Sequence, residues 1–132
     1  MYLNKKVELA RQLETLGVDV IEAGFPIASD GDFRAVQAVA KECRSMTVAP
    51  LCRTTEADRR RAAEASRFAA VPRIHTFVAT SDIHLEFKLK KTRTEVAEMT
   101  RSSVRLAASL VGEVEFSAED ATRSDVDFLC EI

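Results

Sequence analysis

The sequence predicts an α/β chain, a partial (βα)8 TIM barrel of about four parallel strands alternating with helices. Two observations lead there. Short β-branched runs at 18–22, 47–51, 74–78 and 114–117 are each separated from the next by a helical pattern, and strict strand–helix alternation implies parallel strands joined by right-handed crossovers. The spacing of roughly 30 residues per unit also matches a barrel of about 250 residues divided over eight units. An open doubly wound sheet is the competing architecture. Its nucleotide-binding forms carry a GxGxxG or P-loop after a strand, and the four glycines of this chain are not so arranged.

The elements follow in order. Asn4 is placed as the N-cap of a first helix, with Val7, Leu9, Ala10, Leu13 and Leu16 at helical spacing and Gly17 as its stop. The strand at 18–22 runs into Gly24 and Pro26, which end it. Asp30, Gly31 and Asp32 open a second helix carrying Phe33, Val36, Val39 and Ala40 on one side, and the strand at 47–51 comes next. Thr55 and Asp58 form a capping-box-like start, weaker for having Asp in place of Glu. The Ala-rich stretch from Ala62 to Ala70 continues that helix until Val71 and Pro72 break it.

After the strand at 74–78 comes a longer connection, 79–91, with its own helical pattern in Ile83, Leu85, Phe87 and Leu89. Long βα connections usually carry function. Thr92 and Glu95 make a full capping box for a helix through Val96, Met99, Val104, Ala107 and Leu110, ending at Gly112. The strand at 114–117 is the fourth, and Ser124 and Asp125 begin a last helix. No linker divides the chain, so 1–132 reads as one partial barrel domain.

Composition narrows the function classes. A chain that is 46% hydrophobic and 30% charged fits a soluble globular protein. A net charge of −2, from 19 basic and 21 acidic residues spread along the chain, creates no field for nucleic acid or an anionic membrane. The run Arg59, Arg60, Arg61 reads as one turn of a solvated helix face. Cys43, Cys52 and Cys130 are an odd number without a CxxC pair or zinc-ligand spacing, and read as free thiols in a reducing compartment. The expected location is the cytoplasm; these residues show no membrane span or signal-peptide pattern, and any targeting peptide would have to lie upstream of them.

Barrel chemistry sits at the C-terminal ends of strands, and here those ends are polar. They present Glu22; then Leu51, Cys52, Arg53 and Thr54; then His75 with Thr80, Ser81 and Asp82; then Ser117, Glu119 and Asp120. Such a rim suits a small anionic metabolite, with Arg53 and His75 as cation or donor and Glu119 as base or polariser. Each residue also has a structural reading. His75 fits a core histidine bonded to backbone, Glu22 a loop carboxylate, Glu119 and Asp120 caps for the next turn, and Arg53 a surface charge. His84 reads as exposed. Cys52 is the one cysteine at a strand-to-loop position, and no base stands beside it in sequence.

Three stretches, 16–26, 72–81 and 114–124, resemble the 2-isopropylmalate synthase family in order and separation, and 81–92 resembles it too. The resemblance implies a Claisen-type condensation of acetyl-CoA with the 2-oxo acid 3-methyl-2-oxobutanoate in leucine biosynthesis, by a homodimer in the cytoplasm, or in the plastid stroma of a plant or alga. It implies a divalent metal, Mg2+, Mn2+ or Zn2+, that polarises the keto group. It places Glu119 as the catalytic residue, Ser117 beside it on the substrate, His75 in the keto-acid pocket and Leu51 against the substrate side chain. The family's metal ligands lie in a Leu-Arg-Asp-Gly-Glu-Gln-like word before these stretches and in a His-x-His pair and an Asn after them. None is among these 132 residues. The expectation is therefore a domain lacking the first and later strands, with no metal site and no activity by itself. Homocitrate, citramalate and methylthioalkylmalate synthases are the related alternatives. A noncatalytic half-barrel that oligomerises or docks on a full-length synthase is the alternative of a different class.

Overall fold

The computed structural model describes residues 2–132. Its elements are α1 (Leu3–Leu16), β1 (Val20–Gly24), α2 (Asp30–Glu42), β2 (Thr47–Arg53), α3 (Glu56–Ser66), β3 (Val71–Ala79), α4 (Asp82–His84), a π-helical turn (Leu85–Leu89), α5 (Arg93–Leu110), β4 (Glu113–Glu119), a 3-10 turn (Ala121–Arg123) and α6 (Val126–Glu131). The four strands form one parallel sheet in the order β1-β2-β3-β4.

Several boundaries differ from those expected, each for a local reason. Asn4 does not cap α1. Tyr2 precedes the first turn, and its carbonyl accepts the N–H groups of Lys5 and Lys6, both at 3.1 Å. Leu3 extends the apolar spacing of Val7 and Ala10 one turn earlier. Gly17 does stop the helix, in a left-handed conformation with φ +88°. The N–H of Val18 then closes onto the carbonyl of Leu13 at 3.1 Å. Val18 is thereby spent on the helix end, and β1 starts two residues later than the β-branched run suggests.

The helix expected to run to Ala70 ends at Ser66, whose hydroxyl bonds back to the Ala62 carbonyl at 3.0 Å. Pro72 holds Val71 in extended backbone, so Val71 opens β3 and does not close a helix. β2 and β4 run to Arg53 and Glu119, because pairing with β3 continues through Arg53 with Phe77 and Ala79 with Glu119. The Thr92–Glu95 capping box forms in both directions, at 3.2 and 2.7 Å.

Burial separates the two faces of the sheet. Ala23, Val48, Cys52, Ile74 and Val78 enter apolar clusters with helix residues such as Val36, Ala40, Ala62, Ala107, Val96 and Phe128. Glu22, Leu51, His75 and Ser117, at alternate positions, are part-exposed or exposed. Helices on one face with polar side chains on the other is the arrangement of a barrel sector, not of a sheet wound on both sides.

One sequence expectation fails inside the helical layer. Arg60 is exposed and pairs with Glu56, half-buried Arg61 pairs with Asp30 and Glu64, but Arg59 is buried and its Nη1 donates to Ser103 at 2.8 Å. The three-arginine run does not form one solvated face. The period of 3.6 turns its first member inward between α3 and α5.

Candidate active site

Three of the polar residues meet on the helix-free face of the sheet, within the strands and not at their last residues. His75 on β3 stands between Glu22 on β1 and Ser117 on β4, with Nδ1 hydrogen-bonded to the Glu22 carboxylate and Nε2 to the Ser117 hydroxyl. A carboxylate only accepts, so Nδ1 carries a proton. In the neutral ring Nε2 then accepts from the Ser117 O–H. His75 is therefore partnered by side chains and does not follow the backbone-bonded reading. Leu51 is its register neighbour on β2 and supplies an apolar wall beside the ring.

Below this row, toward the N-terminal ends of the strands, Arg73 pairs with Glu113 at 2.9 Å and Glu115 at 3.3 Å. Above it, Glu119 closes β4, and both of its oxygens accept from Lys88 Nζ, at 2.9 and 2.8 Å. Lys88 reaches the rim from the π-helical turn, where the Lys90 N–H bonds to the Leu85 carbonyl and Lys90 ends the turn at φ 52°. Sequence reasoning missed Lys88, since a wider turn shifts side chains off the 3.6-residue period.

Asp120 stands at the N-cap position of the 3-10 turn and its carbonyl accepts the Arg123 N–H at 3.1 Å, but its side chain does not cap the turn's backbone. It sits in left-handed backbone at φ 63°, and its carboxylate accepts from Arg123 Nε at 2.8 Å and from the Ser81 hydroxyl, with His84 Nδ1 at 3.0 Å. Arg123 first, then Ser81, hold its pKa down to about 2. His84 is consequently half-buried, not exposed. Thr80 and Ser124 join the two loops through their hydroxyls at 2.6 Å.

Two expected members do not take part. Arg53 directs its backbone N–H, Nε and Nη2 onto Asp58, at 3.2, 2.8 and 3.2 Å, which commits it to the start of α3. Asp58 is 2% exposed; burial pushes its pKa up, and the bonds from Arg53 and Thr55 outweigh that and leave it lowered. Cys52 faces the helices, fully buried, and burial raises its thiol to about 11, the wrong direction for a nucleophile. A groove of about 660 Å3 between α1 and α2 has no lining residue at a strand end.

No three His, Cys, Asp or Glu side chains gather at metal-binding distance among the described residues. The Glu22–His75 pair offers two donors, and these are spent on each other. The residues present do not by themselves fit a divalent metal.

A family model described as HMGL-like matches residues 1–132. The chain is 55% identical over 130 residues to 2-isopropylmalate synthase of Pelotomaculum thermopropionicum, covering 98% of this chain and 26% of that protein. It is 55% identical over 132 residues to 2-isopropylmalate synthase of Nitratidesulfovibrio vulgaris, covering 100% and 26%. For 2-isopropylmalate synthase of Thermosynechococcus vestitus the figures are 54% over 133 residues, 98% and 25%. The chain thus spans about a quarter of the length of the curated relatives it matches. No helix among the described residues is long and apolar enough to cross a membrane.

Proposed function

The chain belongs to the HMGL-like family, and from that premise we propose that its strand ends form the 2-oxo-acid side of a 2-isopropylmalate synthase site. The reaction is condensation of acetyl-CoA with 3-methyl-2-oxobutanoate: the thioester loses a methyl proton, its enolate carbon attacks the ketone, and hydrolysis releases coenzyme A. The observation that carries the reading is the Glu22–His75–Ser117 row, three side chains from three strands hydrogen-bonded on the helix-free face.

In this reading Glu22 fixes the His75 tautomer, and the Ser117 hydroxyl turns from His75 Nε2 to donate to the 2-oxo acid, whose oxygens only accept. Leu51 packs on its isopropyl branch. Glu119, held by Lys88, is the catalytic carboxylate at the reacting end. Such preorganised polar groups contribute most where charge develops. The divalent metal, acetyl-CoA contacts and homodimer of the 2-isopropylmalate synthase reading require groups other than those described here, and no step is routed through them. The 132-residue chain by itself is therefore inactive.

The experiment is a titration of the chain with 3-methyl-2-oxobutanoate, followed by the His75 ring resonances and by coenzyme A release in the presence of acetyl-CoA. The expected result is a saturable shift at His75 with no thiol release. No shift at His75 overturns the site, and turnover by these residues alone overturns the inactivity.

A further inference from the structure

The side chains that join the connection 81–89 to the end of β4 are Ser81, His84 and Lys88, and of these only Lys88 goes to Glu119. The other two go to Asp120. Ser81 is fully buried, and its O–H donates to an Asp120 carboxylate oxygen. His84 Nδ1 lies 3.0 Å from the same oxygen, which only accepts, so Nδ1 carries a proton and donates. His84 and Lys88, four positions apart, thus grip the consecutive residues Asp120 and Glu119.

Asp120 is itself firmly held. Its backbone is left-handed, at φ 63°, a conformation that Asp adopts more readily than most residues with a side chain. Its carbonyl accepts the Arg123 N–H at 3.1 Å and the Ser124 hydroxyl at 3.0 Å, so the chain turns back directly after Glu119. Arg123 Nε meets both carboxylate oxygens, at 2.8 and 3.0 Å. On the connection, the Thr80 N–H bonds the Glu119 carbonyl at 3.1 Å, which fixes only its start. Leu85 packs with Val78, Val96 and Phe128, which fixes the π-helical turn to the helical layer. The carboxylate of Asp120 is what ties the middle of the connection to the end of β4.

We propose that Asp120 is a positioning residue: by holding Ser81 and His84 it sets the direction from which Lys88 meets Glu119. A lysine ammonium on a flexible four-carbon stem makes a weak pair when part-exposed, and fixing the backbone that carries it reduces the freedom the pair must give up. The inference rests on the reading of Glu119 as the catalytic carboxylate, and adds the residue that orients its ion pair.

The test joins a spectroscopic signature to a double-variant cycle in the 132-residue chain. Asp120→Gly keeps the left-handed backbone and removes the carboxylate. It is expected to displace the Glu119 side-chain carboxyl resonance as Lys88→Ala does, and to weaken 3-methyl-2-oxobutanoate binding by roughly the same two- to fivefold. The variant carrying both changes is expected to lose no more than either alone, because both act on one pair. Asp120→Asn tolerates the same backbone and keeps an oxygen for Ser81 and His84, so it is expected to recover most of the loss. A Glu119 resonance that stays native in Asp120→Gly overturns the proposal, and so do losses that add in the double variant. Should Asp120→Gly fail to fold, Ser81→Ala takes its place, with a native Glu119 resonance again the overturning result. A wild-type chain that does not bind the 2-oxo acid sinks the reading of the site, while the Glu119 resonance still decides the role of Asp120.

Discussion

His75 and Ser117 are hydrogen-bonded across β3 and β4 although they are not register partners. His75 lies opposite Glu115, and Ser117 lies opposite Phe77. The imidazole leans by one alternate position toward the C-terminal end of the sheet, and Glu22 holds it from the other side. Two contacts from two different strands fix one ring, so each can be removed in turn.

Glu22→Gln is expected to release the Nδ1–H tautomer, because an amide can donate to Nδ1 as well as accept from it. Nitrogen chemical shifts of the His75 ring would report a tautomer mixture. Affinity for 3-methyl-2-oxobutanoate should fall about tenfold, the worth of one oriented hydrogen bond. An unchanged tautomer would show that Ser117 alone sets the ring.

Lys88→Ala should weaken 2-oxo-acid binding by roughly two- to fivefold, the range for a part-exposed ion pair. Lys88→Arg should retain most of it. Calorimetric titration distinguishes these outcomes, and equal losses in both variants would place the effect in the turn and not in the charge on Glu119.

Ile74→Ala, at a fully buried β3 position among Cys52, Ala62 and Ala107, should cost about 3 kcal/mol by denaturant unfolding. Asp58→Asn keeps the shape but loses the charge under Arg53. With that guanidinium half in solvent, the cost should be nearer 1 kcal/mol.

The pH profile should fall at both ends. Asp120 is lowered to about 2 in the fold, so its contribution is present above the ordinary carboxylate range and is lost as pH drops toward 2. Cys52 is raised from 9.0 to about 11, so its contribution is complete below 9 and is lost as pH climbs from 9 to 11. Cys52→Ala should flatten the alkaline limb. A thiol reagent at neutral pH should label exposed Cys130 well before buried Cys43 and Cys52.

The alternation of strands and helices was legible because the apolar periods of 2 and 3.6 survive in the sequence, and Glu22, His75 and Ser117 were legible as polar residues at strand ends. The boundaries at Val18 and Ala70 were not, because cap bonds and Pro72 compete locally with propensity. The pairing of Arg53 with Asp58 and the burial of Arg59 depend on which way each side chain turns at the start of α3, and one charge looks like another in a sequence. Lys88 was hidden for a different reason: its partner Glu119 lies 31 positions away and the intervening turn is not α-helical.

That turn is an α-helix with one residue too many. Removing Glu86 or Phe87 would restore the ordinary winding and turn Lys88 by about 100° about the axis of the turn. Lys88 would swing off Glu119 while α5, anchored by its own capping box, stayed where it is. The surplus residue therefore acts as a phase adjustment between loop and sheet. A one-residue deletion there would separate Lys88 from Glu119 without altering either residue of the pair.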